Sequence, residues 1–183
     1  MIDKIIALVL LLLLLPLFIL IAIIILIFDS APIIYHQKRV GENNIIFTMY
    51  KFRTMQQDSP ELPSHLIDEP ELLYTFSGKF LRKTSLDEIP QLVNIIFGDM
   101  SFIGPRPALH SQKDLIALRM EKRIDSIKPG ITGWAQVNGR DDLPITEKVN
   151  KDVEYLQKYS FLFDLKILWL TVLKVVKKDG ISH

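Results

Sequence analysis

Two adjacent acids, Asp87 and Glu88, stand in the stretch TSLDEIP, between a serine and a proline. In a structural interpretation, Ser85 and Glu88 form a capping box that satisfies free backbone N–H groups at a helix start, and Pro90 marks a helix beginning nearby. In a catalytic interpretation, the aspartate attacks phosphorus to give an acyl phosphate, while its neighbour holds Mg²⁺, which takes oxygen ligands and bridges phosphates. These seven residues fit both interpretations.

Basic residues in neighbouring motifs favour phosphate chemistry. Arg82 lies one turn upstream of the acids, Lys51 and Arg53 lie in YKFR, and Arg106 lies in GPRP. Arginine binds phosphate bidentately, and a carboxylate approaches a diphosphate only after the negative charge of that diphosphate is neutralised. A helix N-terminus adds partial positive charge at the same place. The acids therefore form a phosphate site if these cations converge in space, which the sequence alone does not show.

Composition narrows the class of protein. The 183 residues suffice for one domain with a core. The 22 basic and 21 acidic residues give a net charge of +1, so no nucleic-acid partner is indicated. The absence of cysteine excludes disulfides, thiol nucleophiles and cysteine-ligated metals. The four histidines are scattered, which argues against a histidine metal site.

An apolar segment precedes these motifs. Residues 5–28 are uncharged and almost wholly aliphatic, and about 20 apolar residues suffice to cross a bilayer. Pro16 lies in the middle of the segment and cannot donate to the Leu12 carbonyl, so a kink or break is expected there. A kinked spanning helix and a re-entrant hairpin both remain open. Of the 22 lysines and arginines, 21 follow the segment, which places the domain on the cytoplasmic side.

The remaining chain reads as a helix-rich α/β domain. Two short strands are expected on either side of a GENN turn, then a surface loop over 58–72. A helix closed by Gly98 precedes the rigid GPRP turn, and a charged helix follows over 111–126. KPGITGWAQVNGR predicts a loop with a short strand, and a further helix is expected over 146–158. We divide the chain into a membrane segment, 1–30, and a catalytic domain, 31–183.

The last segment, FLFDLKILWLTVLKVVKK, predicts an amphipathic helix. One half of its helical wheel is polar, and Lys166 lies at its edge. Its apolar half either covers the soluble core or, with a tryptophan and flanking lysines, lies in the lipid headgroup plane. The apolar half consists of Leu162, Leu165, Leu168, Trp169, Val172, Leu173, Val175 and Val176, and the polar half of Asp164, Thr171, Lys174, Lys177 and Lys178.

An ordered set of motifs resembles a known family. KFRTM, LRKTSLDEIPQLVNIIFGDMSFIGPRP and KPGITGWAQVNGR are followed by DVEYL and FDLKILWLTVLKV. This set is similar to the bacterial sugar transferases, the monotopic phosphoglycosyl transferases, in the small form that includes diacetylbacillosamine 1-phosphate transferases. The resemblance implies transfer of a sugar 1-phosphate from a UDP-sugar to undecaprenyl phosphate with release of UMP. This would be the first membrane step of glycoconjugate biosynthesis.

The resemblance also implies roles for individual residues. Asp87 would be the nucleophile of a ping-pong reaction, and Glu88 would bind Mg²⁺. Arg82 and Arg106 match phosphate-binding arginines of the family, and Lys51 and Arg53 join them as candidates on chemical grounds. The GWAQVNGR loop adds three candidates for nucleotide or sugar contact, namely Gln136, Asn138 and Arg140.

For architecture, the resemblance implies a small α/β domain with interfacial amphipathic helices on the cytoplasmic face of the bacterial inner membrane. Its N-terminal helix would be re-entrant, broken at a Ser-Pro pair, with both ends cytoplasmic. Here Leu15 stands where the family has serine. A serine hydroxyl can bond a carbonyl freed by the proline and leucine cannot, but Pro16 still supplies the break. Whether the protein forms a homodimer is left open, as are the sugar and the pathway.

Two other functions compete with the transferase. A membrane-anchored, non-catalytic module would bind anionic lipid or a partner through the Trp169 helix, and Asp87→Asn would then change neither turnover nor folding. A phosphohydrolase would use the same acids with water as acceptor and would release UMP without any lipid phosphate.

Overall fold

The computed structural model describes residues 1–60, 69–139 and 143–177 and shows a helix-rich α/β architecture, as predicted. The elements lie in the order α1 (Ile2–Leu13), α2 (Leu15–Phe28), β1 (Ile34–Val40), β2 (Ile46–Phe52), α3 (Gly78–Lys83), α4 (Gln91–Phe97), β3 (Ser101–Ile103), β4 (Ala108–Leu109), α5 (Lys113–Glu121), β5 (Gly130–Thr132), α6 (Trp134–Val137), α7 (Ile145–Lys158) and α8 (Phe161–Lys177). Short 3₁₀ turns occupy Glu42–Asn44, Pro70–Leu73, Leu86–Glu88 and Ile124–Ser126. Most of the loop predicted over 58–72 lies outside the described residues, and so does Arg140.

The apolar N-terminal segment is broken, as its proline predicts. Helices α1 and α2 meet at an angle of 61°, and Leu14 separates them. Pro16 lies in the first turn of α2, where its missing N–H is not needed. Within the described ranges, no single helix is long and apolar enough to cross a membrane, but this bent pair together meets both criteria.

The predicted hairpin is present. Strands β1 and β2 pair antiparallel from Ile34↔Phe52 to Val40↔Ile46, and β4 pairs with the other side of β1. The buried amide of Asn94 on α4 bonds β2, because it accepts from the Tyr50 N–H at 3.1 Å and donates to the Thr48 carbonyl at 2.7 Å. Helix α4 is thereby attached to the edge of the sheet, which would otherwise present unpaired backbone groups.

The broken helix pair shares its core with the rest of the chain. Helix α1 packs along α4 and buries Ala7 completely. Helix α2 buries Ile21 and Ile25, and the ring of Phe18 lies 4.7 Å from that of Phe52 on β2. The segment predicted as a membrane helix therefore packs against the domain along one side.

Three predicted elements differ in how closely they match the structure. Helix α4 ends at Gly98, whose φ of 95° is readily adopted by glycine, as expected. The helix predicted over 111–126 is shorter, since α5 stops at Glu121 and Arg123 takes a positive φ of 60°. The loop predicted around residue 134 is wrong in part, because α6 forms there. Its Trp134 packs on Phe163 and donates to Glu154, and these tertiary contacts outweigh weak local propensity.

Helix α8 forms as predicted, but its apolar half does not cover the core. Leu162 is 76 % exposed, Trp169 63 % and Val172 55 %. The inward face is formed by the fully buried Ile167 and by Thr171 from the polar half of the wheel, whose hydroxyl lies 2.7 Å from that of Thr132 on β5. The core-covering interpretation is therefore wrong for this face, which is presented outward.

Candidate active site

The acid pair lies on a tight turn between α3 and α4. Ser85 has a positive φ of 56°, Leu86–Glu88 form a 3₁₀ turn, and Pro90 precedes the first residue of α4. At this turn Ser85 makes no side-chain cap, and the Glu88 carboxylate turns toward Lys51 instead. The capping-box interpretation is therefore wrong, because a tertiary cation takes the carboxylate that the box would use.

Lys51 and Arg106 converge on the two acids. The Lys51 Nζ atom lies 2.7 Å from Glu88 Oε1 and 3.8 Å from Asp87 Oδ2, and Arg106 Nη1 lies 3.9 Å from Glu88 Oε1. The Asp87 and Glu88 side chains are only 11 % and 12 % exposed. Charges so poorly solvated interact strongly, and the arrangement offers two cations to any phosphate that approaches the acids.

The surroundings of Lys51 set its protonation. Burial lowers the pKa of the Lys51 ammonium below its usual 10.5, opposed by the charges of Glu88 and Asp87, and the Arg106 charge lowers the pKa further. The ammonium is therefore held by the two carboxylates against an environment that favours the neutral amine.

The GPRP turn brings Arg106 to the acids because its backbone packs closely on β5. The Gly104 N–H donates to the Thr132 carbonyl at 2.9 Å, and the Gly130 N–H donates to the Pro105 carbonyl at 3.0 Å. A Cβ atom on Gly104 would lie 2.2 Å from the Lys128 carbonyl oxygen, so only glycine permits this approach. A small cleft opens beside the turn and is lined by Arg39, Met49, Lys51, Gln91, Arg106, Pro107, Gly130 and Ile131.

Two predicted phosphate ligands have other contacts. Arg53 is 7 % exposed and donates to the backbone carbonyls of Asp29 and Ser30, which fastens the end of α2. It follows Phe52, the last residue of β2, and its backbone N–H still donates to the Ile33 carbonyl at 2.9 Å. Arg82 places its guanidinium carbon 4.9 Å from the centre of the Tyr74 ring.

Two of the GWAQVNGR candidates, Gln136 and Asn138, lie on α6 and at its end. Gln136 donates through Nε2 to the carbonyl of Ile131, which lines the cleft, at 2.7 Å. Its buried Oε1 has no hydrogen-bond partner among the described residues. Asn138 is exposed and donates to the Trp134 carbonyl at 2.7 Å. Their substrate contacts remain predictions.

Two arginines behind the GPRP turn were missed by the sequence analysis. Arg39 Nη1 donates to the Pro107 carbonyl at 3.0 Å, and Arg119 Nη1 donates to the Arg106 carbonyl at 2.8 Å. For Arg119, the spacing of residues could have indicated this position. Arg119 follows the buried Leu115 by one helical turn and therefore lies on the inward face of α5.

The acid pair suits a Mg²⁺ ion that is bound partly by the protein and partly by substrate phosphates. Over the parts of the chain described, no three His, Asp or Glu side chains gather into a cage for a metal. Mg²⁺, however, is usually bound by one or two carboxylates together with substrate phosphates and water. Glu88 supplies one such carboxylate beside Asp87, so this turn suits an ion that arrives with a diphosphate.

The family model for bacterial sugar transferases matches residues 1–178. This chain therefore belongs to the bacterial sugar transferase family, which confirms the resemblance seen in its motifs.

Individual relatives support the same family assignment. The chain is 45 % identical over 156 residues to the uncharacterized sugar transferase EpsL of Bacillus subtilis, covering 84 % of this chain and 75 % of that protein. It is 38 % identical over 153 residues to the UDP-glucose:undecaprenyl-phosphate glucose-1-phosphate transferase of Escherichia coli, covering 79 % and 32 %. It is 35 % identical over 175 residues to the undecaprenyl-phosphate galactose phosphotransferase of Salmonella typhimurium, covering 83 % and 35 %. The chain thus spans about a third of the length of the last two relatives.

Proposed function

We propose that this protein is a phosphoglycosyl transferase that moves a sugar 1-phosphate from a UDP-sugar to undecaprenyl phosphate and releases UMP. The observation that carries the proposal is the pairing of Asp87 and Glu88 with Lys51 and Arg106 on one poorly solvated turn. The names of two relatives, which specify undecaprenyl phosphate and a sugar phosphate transfer, support it.

In the first half-reaction, an Asp87 carboxylate oxygen attacks the phosphorus that bears the sugar. The phosphoanhydride bond breaks, and UMP leaves with the bridging oxygen and its electron pair. Lys51 lies 3.8 Å from Asp87, so its positive charge stands beside the attacking oxygen and attracts the anionic diphosphate. Arg106 neutralises the diphosphate, since a guanidinium binds phosphate oxygens through a planar fork.

In the second half-reaction, an oxygen of undecaprenyl phosphate attacks the same phosphorus. The bond from phosphorus to Asp87 breaks, and the carboxylate is restored as the polyprenyl diphosphosugar leaves. Glu88, beside the Asp87 nucleophile, would hold Mg²⁺, which when bound supplies further charge neutralisation at the phosphates.

We also infer that the helix pair is re-entrant, with the domain on the cytoplasmic face of the bacterial inner membrane. Both ends of the pair are tied to the domain. At the start of α1, Asp3 accepts from the Ser101 hydroxyl and Lys4 donates to the Phe97 carbonyl. At the end of α2, the Asp29 carboxylate accepts from the Phe76 and Ser77 backbone N–H groups and the Ser77 hydroxyl. A spanning helix would separate these two ends by the thickness of the bilayer.

The outward apolar face of α8 supports the same arrangement. Leu162, Trp169 and Val172 are exposed, and an exposed apolar face with a tryptophan suits the headgroup region of a bilayer. A domain lying on the membrane would meet a soluble nucleotide sugar from one side and a lipid phosphate from the other.

One assay tests the chemistry. The protein in detergent is offered a panel of UDP-sugars with Mg²⁺, with and without undecaprenyl phosphate, and UMP is measured. We expect lipid-dependent turnover that disappears on chelation and in Asp87→Asn, whereas Asp114→Asn, at an exposed position on α5, keeps it. Full turnover in Asp87→Asn contradicts the nucleophile assignment. Without lipid, the proposed mechanism releases at most one UMP per enzyme molecule, so release that continues beyond that amount indicates a phosphohydrolase. No turnover with any UDP-sugar indicates a non-catalytic module.

A second experiment tests topology. The chain contains no cysteine, so Ile2→Cys introduces a unique label at the start of α1, and Glu121→Cys marks the domain. We expect a membrane-impermeant thiol reagent to label both positions from the same, cytoplasmic side. Labelling of position 2 from the opposite side would indicate a spanning helix.

A further inference from the structure

The GPRP turn that carries Arg106 depends on contacts from other elements. Pro105 and Pro107 have no N–H to donate. A cavity bordered by both prolines and by Ile116 and Ile124 lies beside the turn, so side chains do not fill the space on that side. Hydrogen bonds to the turn's carbonyls must therefore contribute much of its rigidity.

Arg119 supplies one of these bonds and is itself held from behind. Its Nη1 atom donates to the Arg106 carbonyl at 2.8 Å, while Nε and Nη2 donate to one Asp152 carboxylate oxygen at 3.0 and 2.8 Å. Arg119 lies on α5 and Asp152 on α7. A single planar guanidinium thus joins α7 to the turn.

Stability alone is a weak reason to bury this ion pair. Arg119 is 7 % exposed and Asp152 only 2 %. The cost of desolvating two charges often exceeds their attraction, and apolar residues of similar size commonly stabilise a protein as well or better. What an apolar pair cannot do is donate a hydrogen bond to the Arg106 carbonyl, while the Arg106 side chain extends to Glu88.

We propose that Arg119 and Asp152 are positioning residues for Arg106: the pair holds the turn so that the Arg106 guanidinium stays beside the acid turn. The inference rests on the proposed function and extends it to two residues outside the site. Asp152 aligns the Arg119 guanidinium, and Arg119 passes that alignment to the backbone of the turn.

A double-mutant cycle tests the proposal. Misplacing a catalytic group by about 1 Å can cost about 100-fold in rate, so Asp152→Asn should lower kcat/KM for UMP release by roughly that factor. Arg119→Lys should do the same, because one ammonium cannot reproduce the fork that bonds both Asp152 and the turn. In an Arg106→Ala background, neither change should cause further loss. Arg123→Lys, at an exposed position after α5, is the matched control.

The cycle separates positioning from general destabilisation. A change that merely loosened the fold would lower activity by the same factor with or without the Arg106 side chain, so losses that add across the cycle overturn the proposal. A folded Asp152→Asn protein with wild-type kcat/KM also overturns it. If Asp152→Asn does not fold, Arg119→Lys retains a charged partner for Asp152 and carries the test.

Hydrogen exchange provides a reading independent of turnover. Asp152→Asn should speed amide exchange across residues 101–109 and leave the β1–β2 hairpin at its wild-type rate. Unchanged exchange across 101–109 contradicts the proposal. Absence of UMP release by the wild-type protein would instead refute the proposed function, and the exchange result would still decide whether Asp152 holds the turn.

Discussion

Removing the charge of Lys51 should disable the site while leaving both acids in place. Lys51→Met deletes an ammonium 3.8 Å from Asp87 Oδ2 and 2.7 Å from Glu88 Oε1, where its own side chain is 17 % exposed. Opposite unit charges about 4 Å apart interact by about 4 kcal/mol at an effective dielectric constant of about 20. Arg106 compensates in part, so we expect a loss of about 3 kcal/mol, or about 100-fold in kcat/KM.

The pH dependence gives a sharper signature. Burial lowers the pKa of Lys51 below 10.5, and kcat/KM reports groups of the free enzyme. Activity should therefore fall on the alkaline side, below pH 10.5, as the ammonium loses its proton. The free energy of unfolding changes with pH in the opposite direction and rises as activity falls. Below the folded-state pKa of Lys51, burying the charged ammonium costs folding free energy in full, because the native state binds this proton less tightly than the unfolded chain. That cost disappears as the pH rises toward 10.5.

The assay measures UMP release from neutral pH to pH 10.5, with circular dichroism at each pH to confirm folding. In Lys51→Arg, the alkaline fall should move upward or vanish, because a guanidinium keeps its proton to about pH 12 or above. Lys51→Arg with the wild-type alkaline fall would show that another group titrates. Lys51→Met with wild-type kcat/KM would refute the electrostatic role.

Two further predictions test where the structure places other side chains. Arg53→Gln should lower the free energy of unfolding by about 1–3 kcal/mol, because the carbonyls at the end of α2 lose a charged donor. Turnover per folded molecule should not change. Lost turnover at unchanged stability would show that Arg53 belongs to the phosphate site. Trp169→Glu should weaken flotation with anionic lipid vesicles without lowering Tm, whereas Ile167→Asp, at a fully buried position of the same helix, should unfold the protein. Vesicle flotation of Trp169→Glu equal to wild type would contradict an interfacial α8.

Local pattern predicted the elements of the site better than its contacts. The hairpin, α4 with its Gly98 end, α7 and α8 follow from periodicity and turn residues. Lys51 and Arg53 are two residues apart, yet Lys51 contacts the acid pair while Arg53 donates to the carbonyls at the end of α2. Tertiary packing decides which partner each cation meets, and no local propensity encodes it. Glu88 shows the same limit, because the capping pattern is local and its competitor, Lys51, lies 37 residues away.

Helix α8 shows a second kind of limit. A helical wheel separates apolar from polar positions, but it does not say which half faces the protein. Here Thr171 and Asp164, both on the polar half, bond Thr132 and Tyr155 beside the fully buried Ile167. The apolar side chains Leu162, Trp169 and Val172 face out, which is unfavourable in water. This exposed apolar face supports the proposed interfacial position more strongly than amphipathicity alone.

The N-terminal break illustrates how tertiary contacts can replace a local motif. Leu15 has no hydroxyl with which to bond a carbonyl freed by Pro16, yet α1 and α2 still meet at 61°. The proline removes one N–H but does not set an angle. The angle follows from docking, since Ala7 is fully buried where α1 lies along α4, while Asp3 and Asp29 tie the two ends to the domain. A chain whose helix ends are both fixed to one domain does not need a serine to bend it.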